Sequence, residues 1–416
     1  MKNGIMKTAD PELMRAINRF HVLDTIRRYG AISRVEIGER IQLSPTTVSA
    51  ITGSLIEDGL ILPKHEGDLR GGNRGRPRVM LALNPNAARV VGAKIAANRL
   101  AFVVTDFQGD VLAELILPLR VDRLPLSVIA DLVEDGVRRC VLDAGIAMAD
   151  IKSVAVSLPG IIEHGTGLVR ASSIFRDADV PLKEAIVERL GIDVIVESDA
   201  NAITMGEHWF GQARDCDDFV LVAIEDNLTL GVMHGGQIFR GARELSLTLG
   251  DMVMGADPDH AVKLADVASE KAIINGEASD PRMRDAIRLG SGMSQVRGMI
   301  EAGDNKLRFA ANKAGAALGI AIANLVALFA PPRVILVGST LTLGPHLLDA
   351  LQNSFAKAIP QSLREVAEIV IENADDRLWA RGAAAVALGE LYGSPWGTTG
   401  PARTFNADAL ESTKGT

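Results

Sequence analysis

The strongest constraint on the fold is the point where the apolar period changes. Between residues 11 and 55 apolar side chains return every three or four positions, whereas from Val90 onward they come in short continuous runs. The first pattern gives helices with one buried stripe and the second gives strands. A chain with this break is expected to contain two unlike parts. In the first part, Leu13, Ile17, Phe20, Leu23 and Ile26 make one helical face that Gly30 closes. Ser33 with Glu36 three positions later forms a capping box for a second short helix, whose buried pair is Ile37 and Ile41. Gln42 and Leu43 form a tight turn. Ser44 caps a third helix, with Pro45 at the first position, where its missing N–H costs nothing. Val48, Ile51 and Leu55 form its inner stripe, and Gly59 ends it.

This spacing predicts a helix-turn-helix. The outer face of the third helix carries Thr46, Thr47, Ser49, Ala50 and Gly53, with no Lys or Glu until Glu57. Small neutral residues let a helix sit deep in the major groove of duplex DNA. A three-helix bundle with no DNA role is the alternative reading. Residues 60–62 and 79–83 read as two strands of a hairpin, and the loop between them reads as a wing. Its distal half holds Arg70, Arg74, Arg76 and Arg78, three glycines and no acid after Asp68. An extended Arg-Gly-Arg-Pro run places guanidinium groups well for a narrow, electronegative minor groove; the alternative is a flexible, arginine-solubilised linker. Arg34, Ser44, Pro45, Thr46, Thr47, Ser49, Arg70, Arg74, Arg76 and Arg78 are therefore the candidate DNA contacts. Charge agrees with this division. Residues 1–83 carry 13 Lys+Arg against 9 Asp+Glu, while the remainder carries 31 against 43. A basic head on an acidic body matches a head that meets a polyanion, although an imbalance of this size also arises by chance.

In the body, three short strands at 90–96, 100–106 and 111–117 precede a helix at 126–142. Strands are then expected at 154–158, 194–197, 219–224, 230–234, 237–239 and 334–337. Helices are expected at 200–210, at several places between 260 and 330, and at 345–358. Antiparallel strands followed by strand–helix alternation, stated twice, predict two similar α/β lobes around a cleft. The apolar stretch 315–332 contains Asn324 and ends in two prolines, so it reads as a buried helix and not a membrane span. No export signal is apparent and no membrane association is expected. Two distant thiols, Cys140 and Cys216, fit a reduced cytoplasmic chain. Three domains are expected: a DNA-binding head at 1–83, a body at 84–392 for effector binding and dimerisation, and a disordered tail at 393–416.

The order of several short motifs is more specific. The head contains Asn18-Arg19-Phe20, Gly30-Ala31-Ile32-Ser33-Arg34, Leu43-Ser44-Pro45-Thr46-Thr47-Val48-Ser49 and Gly75-Arg76-Pro77. The body contains Asn84-Pro85, Val91-Gly92, Leu158-Pro159-Gly160, Val180-Pro181-Leu182, Ser198-Asp199-Ala200-Asn201-Ala202 and Gly206-Glu207-His208-Trp209-Phe210-Gly211. In this order, over 11–392, the chain resembles the ROK family of bacterial repressors and sugar kinases, on its repressor branch. The resemblance implies a winged helix-turn-helix joined to an actin-like, sugar-kinase-type two-lobed fold. It also implies a homodimer or dimer of dimers, a double-stranded DNA operator and a sugar or sugar-derived effector.

The departures from that family's pattern are informative. Where its kinases have an Asp-x-Gly loop for metal and phosphate, this chain has Lys94-Ile95-Ala96-Ala97; the second phosphate loop reads Glu225-Asp226-Asn227-Leu228-Thr229-Leu230-Gly231. Two carboxylates there would face a triphosphate at a cost of several kcal/mol, by order of magnitude. The nucleoside-side glycine pair has become Gly338-Ser339. At the sugar site the family's base is kept as Asp199, its Asn appears as Ser173, and its Glu-x-Gly-His appears as Thr248-Leu249-Gly250-Asp251. A later family Glu aligns with Ala265. Gly160, Ser173, Asp199 and Asp251 are the candidate effector ligands; Asp199 also fits a helix N-cap. The family's structural zinc needs a cysteine cluster that 250–270 lacks, where His260 stands with Asp251, Asp257 and Asp259, so no metal is expected. No catalytic residue and no cofactor are assigned. The expected function is a repressor of a sugar operon, with a kinase bearing a DNA-binding head, or a regulator controlled by a protein partner, as the alternatives.

Overall fold

The computed structural model describes residues 11–65, 79–255, 261–275, 280–288, 291–372 and 376–393. Helix α1 (Pro11–Tyr29) stops at Gly30, whose φ of 71° needs no Cβ and whose N–H bonds the Ile26 carbonyl at 2.9 Å. The expected capping box opens α2 (Arg34–Ile41), and Gln42 closes it in the left-handed region at φ 55°. Helix α3 (Pro45–Glu57) is capped by Ser44 and starts on Pro45 as expected. One element of the head was not expected. Ile32–Ser33 form a short strand, β1, and the sheet order with β2 (Ile61–His65) and β3 (Val79–Leu83) is β1-β3-β2, all antiparallel. The cap itself explains this, because Ser33 must be extended (φ −81°, ψ 157°) to cap α2, which leaves it in strand geometry beside β3. The wing arginines Arg70, Arg74, Arg76 and Arg78 fall outside the described residues, as do Asp257, Asp259, His260 and the tail beyond Gly393.

The first lobe of the body opens with the antiparallel strands β4 (Arg89–Ala96), β5 (Arg99–Asp106) and β6 (Val111–Leu117). Helix α4 (Leu126–Asp143), strand β7 (Ile151–Leu158), the hairpin β8 (Ile161–Glu163) and β9 (Leu168–Ala171), helix α5 (Leu182–Leu190) and strand β10 (Val194–Ser198) follow. The sheet order is β10-β7-β4-β5-β6, with β10, β7 and β4 parallel. Helix α6 (Asp199–Phe210) leads to the second lobe. That lobe contains β11 (Phe219–Ile224), β12 (Leu228–His234), β13 (Gln237–Ile238), β14 (Leu247–Thr248), β15 (Val253–Met254) and β16 (Val262–Lys263). Helices α7 (Ala265–Ala268), α8 (Glu270–Ile274), α9 (Pro281–Arg288), α10 (Gly292–Glu301) and α11 (Asn305–Phe329) come next. Strand β17 (Arg333–Val337), helix α12 (Pro345–Ala358) and strand β18 (Glu368–Ile371) complete the lobe, whose sheet order is β13-β12-β11-β17-β18 with β14 beside β12.

The last helix, α13 (Asp376–Leu391), returns to the first lobe and was not anticipated. Its Ala380, Ala383, Ala384 and Ala387 share a core with Val90, Ala101 and Val103, while Val91, Ala93 and Val104 face α4 on the other side of the sheet. Burial on both faces is why β4 and β5 read as continuous apolar runs. Gly92 is needed for this contact, since a Cβ there would come within 2.5 Å of the Ala384 nitrogen. Helix α11 is long and apolar enough to cross a membrane by length and composition, but its Ala311, Leu318, Ile322 and Val326 are core residues of the second lobe. The head does not have a separate core. Val22, Leu23, Ile26, Ile61 and Leu83 run on without a break into Phe107, Trp209, the α13 alanines and Tyr392. The junction between head and body is tied down as well: Asn84 Nδ2 donates to the Gly59 carbonyl at 2.7 Å, and Gln108 Nε2 to the Leu83 carbonyl at 2.9 Å.

Candidate DNA interface and effector cleft

The face of α3 is as small and neutral as the sequence requires. Thr46, Ser49 and Ala50 are exposed, while Val48, Thr52 and Leu55 are buried. Ser44 Oγ accepts the Thr47 N–H at 3.1 Å and lies 2.8 Å from Thr47 Oγ1, so the first turn is pre-ordered. Arg34 is partly committed: its Nε donates to Thr52 Oγ1 at 2.9 Å, which ties α2 to α3.

In the body, β10 runs into α6 at Asp199, which lies near Lys94 of the first lobe and Glu225 of the second. Ser198, not Asp199, is the cap of α6: its Oγ accepts the Asn201 N–H at 3.2 Å. Asp199 is the first helical residue, and its Oδ1 accepts the Ala200 N–H at 2.8 Å. It is buried, and burial pushes its pKa up to about 6, with the Lys94 ammonium opposing and the Glu225 carboxylate adding to the shift.

Lys94 is only 3% exposed. Its Nζ lies 3.6 Å from Glu225 Oε2, on the β11–β12 turn, and 3.5 Å from the centre of the Trp379 ring on α13. The ion pair and the cation–π contact offset the cost of burying the ammonium. Glu270 opens α8, accepts a hydrogen bond from Ser339 Oγ, and has its pKa raised to about 7 by burial, with Glu225 and Asp226 adding repulsion. This end of the cleft, where a kinase would hold phosphate, thus contains its own cation and at least three carboxylates. These residues do not fit a bound metal–triphosphate, since the carboxylates of Glu225, Asp226 and Glu270 would face it and the buried Lys94 is already paired with Glu225. Among the described residues no group of acids, histidines and cysteines could hold a metal.

The other candidate effector ligands are spread out. Ser173 of the first lobe accepts from Asn227 Nδ2 of the second at 3.3 Å, a bond directly across the cleft. The Gly160 carbonyl accepts from Ser246 Oγ at 3.1 Å, and the residue's φ of 145° is one that side chains rarely allow. Asp251 is exposed, paired with Lys263 at 2.7 Å and bonded by Thr248 at 3.3 Å; no hydrogen bond joins it to Asp199. Sequence reasoning missed a further cluster. Glu197 is buried, and its carboxylate takes Arg240 from the second lobe at 2.6 Å, His164 at 3.0 Å and Asn201 at 2.9 Å. Glu197 is an acid near the end of the apolar run of β10, two residues before Asp199, and that was the available signal; Arg240 lies in a loop with no period to mark it.

A family model described as ROK family matches residues 90–390. The chain belongs to the ROK family. A second model, the MarR family, matches residues 17–70, so the head is a winged helix of that type and the chain lies on the ROK repressor branch. Among ROK relatives, the xylose repressor of Caldicellulosiruptor bescii is 25% identical, the match covering 92% of this chain and 98% of that one. The DNA-binding transcriptional dual regulator NagC of Escherichia coli is 23% identical, covering 90% and 93%. A solved ROK family transcriptional regulator, homologous to the E. coli MLC protein, shares the fold with a TM-score of 0.72 at 21% identity, covering 91% of this chain and 97% of that one. The ROK hexokinase of Thermus thermophilus, at 23% identity and TM-score 0.57, covers 71% of this chain and 97% of its own. Whole-chain matches are thus regulators. The kinase match leaves over a quarter of this chain uncovered.

Proposed function

We propose that this ROK chain is a DNA-binding repressor of a sugar uptake or catabolic operon, released when a sugar binds the cleft at Asp199. Residues 1–83 serve as the DNA-binding domain and 84–392 as the effector-binding and dimerisation domain, in a cytoplasmic homodimer or dimer of dimers. The observation that carries this reading is the Lys94–Glu225–Trp379 cluster in place of a phosphate site, with Asp199 retained beside it. With carboxylates where a phosphoryl donor would lie, Asp199 acts as a hydrogen-bond acceptor for a sugar hydroxyl and not as a general base. The carboxylates of Glu225, Asp226 and Glu270 further favour a neutral sugar over a sugar phosphate.

Two measurements test this. A panel of D-xylose, D-glucose, N-acetylglucosamine and their phosphates is screened for a rise in melting temperature, and positive sugars are tested for release of DNA taken from beside the chain's own gene. A neutral sugar is expected to raise the melting temperature and weaken DNA binding. If no sugar does either, control by a protein partner becomes the better reading. A coupled ATPase assay with the same sugars is expected to be silent; turnover near about 1 s⁻¹, the low end of enzyme rates, would make the chain a kinase.

A further inference from the structure

Helix α6 has one end in the cleft and the other against the head. It starts at Asp199 and ends at Phe210, about 18 Å away at 1.5 Å per residue. From Asp199 to Trp209 every residue but Met205 is buried. Packing on its two sides leaves no clearance. On the first-lobe side, a Cβ at Gly206 would meet Gly382 Cα of α13 at 3.0 Å; on the second-lobe side, a Cβ at Gly231 of β12 would meet the Ala200 carbonyl at 2.9 Å. A helix held this tightly between two lobes moves as a rigid piece when the lobes move.

At its far end, α6 meets the last turn of α1. Arg27 Nη1 donates to the carbonyls of His208 and Trp209, each at 3.3 Å, and its guanidinium lies 4.6 Å from the Trp209 ring centre. These are last-turn carbonyls with no partner within the helix, so the head supplies the C-terminal cap of α6. Arg28 pairs with Asp217, and its Nη2 lies 3.0 Å from His208 Nε2. Arg214 donates back to the Arg27 carbonyl at 2.9 Å. Asp24 holds both guanidiniums, at 2.8 Å and 2.6 Å. His208 Nε2 therefore faces a donor, Arg28, and an acceptor, Asp217 Oδ1 at 3.0 Å, while its buried Nδ1 has no partner. One tautomer satisfies Arg28 and the other satisfies Asp217, so the joint has two discrete hydrogen-bonded arrangements. Burial, together with the neighbouring guanidiniums, lowers the imidazole's pKa against the pull of Asp217.

We propose that α6 transmits the state of the cleft to the head, and that Arg28, His208 and Asp217 are positioning residues that fix the head's angle on the body. This rests on the reading of the cleft as the effector site. Movement of the lobes around Asp199 shifts α6, and the joint converts that shift into a tilt of α1 and the α3 it carries.

Hydrogen–deuterium exchange on the full chain tests the coupling with and without a sugar. The sugar-free arm compares wild type with Asp199→Asn, each also carrying Asp217→Asn or the charge-preserving Asp217→Glu. Asp199→Asn is expected to change exchange several-fold at residues 24–30 of α1. That response should vanish with Asp217→Asn and return with Asp217→Glu. The second arm adds whichever panel sugar raises the melting temperature and expects the same pattern. Residues 24–30 that respond to neither Asp199→Asn nor a bound sugar would overturn the coupling. A response equal in the Asp217→Asn background would overturn the role of the joint. If Asp199→Asn moves residues 24–30 while no sugar binds, the coupling stands and the effector reading fails.

Discussion

At the residue scale, Glu207 isolates what burial does to a charge. It is fully buried in α6, with Oε2 accepting the Gln212 N–H at 2.7 Å and Oε1 without a partner. Burial raises its pKa to about 7 from 4.5; the Gln212 N–H opposes this and Glu372 adds to it. A raised carboxylate pKa gives stability that is complete below the unfolded value and lost as pH rises through the folded one. Glu207→Gln keeps the acceptor and removes the titration. The variant is therefore expected to gain on wild type between pH 5 and pH 8, by up to about 3 kcal/mol at 1.36 kcal/mol per unit. Urea melts at the two pH values check this, and equal differences at both would show that Glu207 is already ionised at pH 5. At the other end of α6, Asp199→Ala is expected to keep specific DNA binding, with its affinity shifted by the altered joint, and to abolish release by the inducing sugar. Release at an unchanged sugar concentration would place the effector elsewhere.

At the scale of elements, the proposed DNA contacts fall on α3 and on the wing. The short side chains of Thr46, Thr47 and Ser49 reach base edges and thymine methyls only if α3 lies deep in the groove. Thr47→Glu, on a half-exposed surface, is expected to abolish specific footprints while the circular dichroism of the fold is kept. For the wing, replacing Arg74 and Arg76 with Ala is expected to weaken operator binding and lower the salt slope by up to about 0.9 for each phosphate that is no longer neutralised. An unchanged slope would mark the loop as a linker. The elements of the head were legible because each boundary has a chemical mark: Ser33 with Glu36, Ser44 with Pro45, and glycines at 30 and 59. Helix α13 was not, because alanine carries little periodic signal and its fit depends on Gly92, far away in sequence. At the start of α6, the cap reading of Asp199 was off by one position, because Ser198 is the cap. The Lys94–Trp379 and Glu197–Arg240 contacts join distant segments and leave no local pattern.

At the scale of the whole molecule, the head and first lobe share one apolar core. Trp209 is its hinge pin, with the Arg27 guanidinium on its ring, the Tyr392 ring centre 4.8 Å away, and Tyr392 Oη donating to the Phe107 carbonyl at 3.0 Å. Head and first lobe are expected to unfold in one calorimetric transition. Trp209→Ala should cost about 3–5 kcal/mol and separate an earlier head transition; a single unsplit peak at the original temperature would show that Trp209 does not hold the head to the first lobe. The shared core also limits how such a chain can be recombined. A cut at residue 84, where the sequence changes character, would carry Val22, Leu23 and Ile26 away from Trp209 and the α13 alanines that cover the same core. A DNA-reading module grafted from this chain onto a foreign sensor would therefore need a matching socket rebuilt on its new host, and regulators of this architecture should diversify more readily by changing the reading face of α3 than by exchanging whole heads.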